Sequence, residues 1–90
     1  PILYFEEDDF DGFIDRLGQR NDIQYIGDGV KEAGWGQRTV RFYDLDGHII
    51  EVGENMKMVV RRFIHSGMSM EETSRRMDVS VSDLEKLLQS

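Results

Sequence analysis

Glu51 and Arg41 are the side chains best equipped for chemistry. Both fall on polar positions of alternating apolar and polar stretches near the middle of the chain. A carboxylate on an open sheet face can bind a hard or borderline divalent ion through oxygen. The same carboxylate can instead pair with Arg41 across neighbouring strands. Arg41 can hold an anionic substrate group through two parallel N–H bonds. Tyr4, Thr39 and Tyr43 share the alternation and complete a substrate-facing set. Trp35, between Gly34 and Gly36, either closes over a ligand as a lid or buries its indole. His48 directly follows a turn and reads as a hydrogen bonder to that turn, and His65 as a helix-end cap.

These residues need a sheet to carry them. Ile2–Glu6 is β-branched and aromatic and reads as a short strand. Phe10, Phe13, Ile14 and Leu17 follow at helical spacing, with Asp8 or Asp9 as N-cap and Gly18 as the exit. Ile23–Ile26 reads as a second strand and glycine-rich Asp28–Gly36 as a loop. Gln37–Tyr43 and His48–Gly53 are strands joined by the turn Asp44-Leu45-Asp46-Gly47. Pairing them puts Val40, Phe42, Ile50 and Val52 on a face suited to the helix stripe, with Leu3 and Phe5 expected in the same core. Gln37, Thr39, Arg41, Tyr43, Ile49 and Glu51 take the opposite face, with Ile2, Tyr4 and Glu6. The expected class is α+β: a βαβββ module with a curved mixed sheet, followed by two or three short C-terminal helices.

Charge marks an internal boundary. The 90 residues carry 18 acidic and 11 basic side chains, a net charge of −7. Residues 1–54 hold 13 acidic and 5 basic groups, whereas residues 55–90 hold 5 and 6. The division predicts a module over 1–54 and a helical tail over 55–90. The acidic balance argues against a basic nucleic-acid coat and against attraction to anionic lipid. Absence of cysteine excludes disulfides, a thiolate nucleophile and Cys-ligated metal. No apolar run approaches the roughly 20 residues that span a bilayer, so a cytoplasmic setting is expected. The chain begins at Pro1, without Met, which fits a proteolytic fragment or a missing upstream part.

Trp35-Gly36-Gln37-Arg38, followed by Asp44-Leu45-Asp46-Gly47-His48-Ile49-Ile50-Glu51-Val52, resembles the C-terminal module of the glyoxalase/bleomycin-resistance/extradiol-dioxygenase superfamily. That is the vicinal oxygen chelate fold, and the resemblance covers about residues 1–54. Leu45 stands where the family's turn has proline. The resemblance implies that Glu51 occupies a metal-ligand position. It also implies a His or Gln ligand near Ile2, which cannot coordinate a metal. The remaining ligands would belong to an upstream N-terminal module or a second chain, as in a homodimer.

Beyond the module, Met56, Val59, Val60 and Phe63 form a helical stripe ending at His65-Ser66-Gly67. Ser69 and Glu72 stand at capping-box spacing before a short helix through Met77. Ser80 or Ser82 caps a last helix bearing Val81, Leu84, Leu87 and Leu88. Phe63–Leu88 loosely resembles a helix-turn-helix, yet Val81–Gln89 offers only Lys86 against Asp83 and Glu85. Nucleic-acid binding is therefore not expected. Packing on the module or protein association is, aided by a Met-rich surface of Met56, Met58, Met68, Met70 and Met77.

The resemblance implies a metal-dependent lyase or isomerase, related to lactoylglutathione lyase, of which this chain supplies half the site. A divalent Zn, Ni, Mn or Fe ion would chelate vicinal oxygens of a small substrate and stabilise an enediolate. Two alternatives stay open: a non-catalytic small-molecule binder of the resistance type, and a ligand-sensing transcription regulator.

Overall fold

The computed structural model describes residues 2–90; Pro1, on which the reading of a fragment or a missing upstream part turned, lies outside them. Strand β1 (Ile2–Glu7) leads into helix α1 (Phe10–Gly18). Two short strands follow, β2 (Gln24–Tyr25) and β3 (Lys31–Glu32), then two long ones, β4 (Arg38–Tyr43) and β5 (Ile49–Glu54). Helices α2 (Met56–His65), α3 (Met70–Met77) and α4 (Val81–Gln89) complete the chain. The fold is α+β. Its sheet is mixed, in the order β1-β5-β4-β2, with β1 parallel to β5, the other pairs antiparallel, and β3 also on β4.

Asp28–Gly36 is not wholly a loop, because Lys31–Glu32 pairs with Thr39 and Arg38. β2 and β3 are two pieces of one interrupted strand along the same edge of β4. Residues 26–30 bulge out where β4 advances only through Val40 and Arg41. Gly27 (φ 76°) and Gly29 (φ 94°) take the left-handed backbone that this excursion requires. Their glycine signal is what made the segment read as loop throughout.

Register sorts the two faces. Val40 pairs with Val52 and Phe42 with Ile50, and these join Phe10 and Leu17 of α1 in one core cluster. Asp9 caps α1 by accepting from the Gly12 N–H at 3.1 Å. The expectation for Leu3 and Phe5 fails: they lie on this face by register but stay 45% and 55% exposed. The buried cluster under α1 draws its strand residues from β4 and β5, and β1, the edge strand, lies beyond it.

The tail builds a second core from Val59, Val60, Phe63, Met77 and Leu84. The Ser69–Glu72 capping box closes in both directions and Ser80 caps α4. Met77 is 1% exposed and the other four methionines are partly buried, so the methionines pack rather than form an exposed surface. Tail and sheet are clamped together at Glu54. Its buried carboxylate accepts from Arg38 on β4 and from Arg62 on α2. Arg62 also donates to the Gly36 carbonyl at 2.6 Å. Gly36 (φ 92°) has no room for a side chain, because a Cβ would sit 2.5 Å from the Phe63 ring. No described helix is long and apolar enough to cross a membrane.

Candidate functional site

The face opposite α1 is ordered as rows across the strands. One row runs Tyr4, Glu51, Arg41 through β1, β5 and β4, and the next runs Glu6, Gly53, Thr39, Lys31 through β1, β5, β4 and β3. Side chains of facing residues in such rows lie about 5 Å apart, close enough to bond directly.

A cavity of about 280 Å³ opens over these rows, lined by Ile26, Gly29, Lys31, Thr39, Arg41 and Glu51. The Arg41 Nε–H donates to Glu51 Oε1 at 2.5 Å, with Glu51 the less exposed partner. Thus Arg41 and Glu51 form the cross-strand pair that was one of the two readings open for Glu51. Among the described residues no further partner takes the Arg41 terminal nitrogens, and Lys31 makes no ion pair.

Lys31 was missed because the glycines around it disguised its strand. Its register opposite Thr39 turns it onto this face. The only earlier signal was the short non-glycine stretch Val30–Ala33 inside the glycine-rich segment.

The other expected ligand-facing residues are dispersed. Tyr4 neighbours Glu51 on β1 but does not line the cavity. Its hydroxyl accepts from the Gln37 amide at 3.0 Å and donates to Glu6 at 3.2 Å. Partial burial, with Glu6 and Glu51 nearby, pushes the Tyr4 phenol above its ordinary pKa, so it stays protonated. Tyr43 stands one row further along, opposite Ile49, in a separate depression with Arg20, Gln24 and Leu45. Trp35 is half-exposed in a third hollow, beside Met77, Asp78 and Val79 of the tail. Its indole N–H donates to Gln37 Oε1 at 3.1 Å. Gln37 is therefore the unforeseen organiser: buried, it links Trp35, Tyr4 and the Glu54 carbonyl. Gly53 makes room for the link, since a Cβ there would lie 2.6 Å from the Tyr4 hydroxyl.

A divalent ion finds a poor donor set in this cavity. Glu51 is the one carboxylate lining the cavity, it is engaged by Arg41, and Lys31 adds a second cation. Two cations beside one carboxylate repel a metal rather than hold it. Asp44, Asp46 and His48 form a separate acidic and imidazole group in the β4–β5 turn. Its geometry is that of a turn: Asp44 Oδ1 accepts the N–H groups of Asp46 and His48, and Oδ2 meets His48 Nδ1 at 3.2 Å. Burial alone would raise the Asp44 pKa, but the bonds from His48 and Asp46 hold it below the ordinary carboxylate value. His48 is thus engaged with the turn, as its position predicted, and His65 stands in the last turn of α2.

The sequence model of the glyoxalase-like domain matches residues 2–57. A crystal structure from Agrobacterium tumefaciens str. C58, described as a protein of unknown function, is 42% identical with a TM-score of 0.52. The match covers 60% of this chain and 40% of that one, so the chain spans well under half the length of its neighbour. No curated protein matches the chain.

Proposed function

The chain belongs to the glyoxalase-like domain family, and on that premise we propose that it is half of a small-molecule binding site, with the open sheet face as the floor. The observation that carries this reading is the cavity over the Glu51–Arg41 pair, with Thr39 and Lys31 beside it. Hydrogen-bonding and charged groups converge there on a rigid strand scaffold, the arrangement small-molecule sites use for orientation.

The missing half joins at β1. Ile2, Leu3, Tyr4 and Phe5 are each 45–55% exposed, so this edge strand is apolar on both faces and has a free backbone edge. An upstream module or a second copy of the chain would cover it. Ligand screening by nuclear magnetic resonance tests the reading. Ligands should shift Thr39, Arg41 and Glu51 together, and binding should survive a chelator. Ligand shifts confined to the Tyr43 or Trp35 hollows would overturn it.

Glu51 supports a second reading, a metal-dependent lyase or isomerase, because its carboxylate lines the cavity on the open face. The ion would then need donors from the other half. Elemental analysis of the purified protein separates the two. A stoichiometric Zn, Ni, Mn or Fe ion lost in Glu51→Ala favours the lyase, and retention of ligand binding without metal favours the binder.

A further inference from the structure

We infer that the ligand of the open sheet face is a small organic anion, gripped through a carboxylate by the outer edge of Arg41 and by Lys31. The inference rests on the sheet face being a binding surface and adds the class of ligand it takes.

Glu51 uses the Nε side of the Arg41 guanidinium and leaves the two terminal nitrogens unbonded among the described residues. A guanidinium held at one edge presents parallel N–H donors at the other, matching the two oxygens of a carboxylate. Lys31 stands in the row of Thr39, two residues along β4 from Arg41 and on the same face, and its ammonium has no carboxylate partner among the described residues. Its side chain lies against Gly27 of the bulge, where a Cβ would come within 3.4 Å of Nζ. The ammonium thus lies against the bulge, beside the cavity that Lys31 lines.

The charge balance points the same way. Glu51 neutralises one of the two cations lining the cavity, and one positive charge remains uncompensated. A neutral ligand would cover that charge without answering it, whereas an anion satisfies the free donors of both residues. Glu6, on the same face, bonds the Tyr4 hydroxyl instead. At about 280 Å³ the cavity is small, near the lower end of ligand sites, about 300–1,000 Å³. That favours a single-ring or short-chain acid over a nucleotide.

The experiment compares benzoate with its neutral analogue benzamide. Each is titrated into the full chain while backbone amides and the Arg41 side-chain Nε–H are followed by nuclear magnetic resonance. Benzoate should shift Arg41, Lys31 and Thr39 saturably, and benzamide should not. Lys31→Gln should weaken benzoate about tenfold, and Arg41→Lys, which keeps the charge and loses the planar edge, by a similar factor. Equal binding of both probes on this face, unchanged in Lys31→Gln, overturns the anion class and leaves the binding face standing. Absence of saturable shifts on this face from either probe, in a folded chain, overturns the anion class and the binding face together.

Discussion

Glu54 and Gly53 illustrate how far single side chains control this molecule. The Glu54 carboxylate is 3% exposed and faces two guanidiniums, so its removal leaves Arg38 and Arg62 without their shared anion. Glu54→Gln should cost about 2–4 kcal/mol, read from the urea midpoint, because breaking a buried pair exposes its uncompensated partner. Burial alone would raise the Glu54 pKa, but the bonds from Arg38 and Arg62 outweigh it and hold the carboxyl below its ordinary value of 4.5. Because the folded pKa is depressed, this stability is present above about pH 4.5 and is lost as pH falls through the folded value. Acid unfolding should therefore begin below pH 4.5, with a weaker pH dependence in Glu54→Gln. Gly53→Ala should push the Tyr4 hydroxyl off the Gln37 amide and cost about 1–3 kcal/mol. The Trp35 emission should change with it, since its indole hangs on the same amide.

At the scale of elements, caps and register do most of the work. α3 is only eight residues long and strongly polar outside Met70 and Met77, so it depends on its end structure. Ser69→Ala removes one arm of the capping box and should cost about 1 kcal/mol, with faster hydrogen exchange confined to the first turn of α3. Helix starts were legible in the sequence because a cap is a local bond between residues three apart: Ser69 caps as its spacing indicates, and the structure chooses Asp9 over Asp8 and Ser80 over Ser82. The faces of β4 and β5 were legible because a two-residue period leaves no choice once the turn is set. β3 was not legible. Its two residues are strand only because β4 lies beside them, and no local period marks so short a segment.

At the scale of the whole molecule, the chain is extended, 42 × 26 × 23 Å, with a radius of gyration of 14.6 Å. A compact chain of this length would have about 12 Å. The length comes from two hydrophobic clusters, one under α1 and one among α2, α3 and α4, joined through Glu54, Arg62 and Phe63 against Gly36. Neither small core covers β1, the edge strand whose Ile2, Leu3, Tyr4 and Phe5 stay exposed. If a second copy covers it, sedimentation should detect a concentration-dependent dimer, and Phe5→Lys should return the protein to a folded monomer whose melting temperature no longer depends on concentration. A Phe5→Lys protein that still dimerises would place the contact elsewhere.

The sequence by itself determined the order of elements apart from β3, the helix starts to within a choice of capping residue, the family resemblance through the Asp44–Val52 segment, and the sharing of one face by Arg41 and Glu51. Each follows from bonds or periods spanning a few residues. Only the tertiary structure decided that Glu51 holds the Nε of Arg41, that Lys31 enters the same cavity, and that Gln37 ties Trp35 to Tyr4 while Tyr43 stands apart. It alone left Leu3 and Phe5 open, because burial depends on what packs above a strand as well as on the pattern within it. Contacts between residues dozens of positions apart are set by packing and register across the sheet, and no local spacing encodes them.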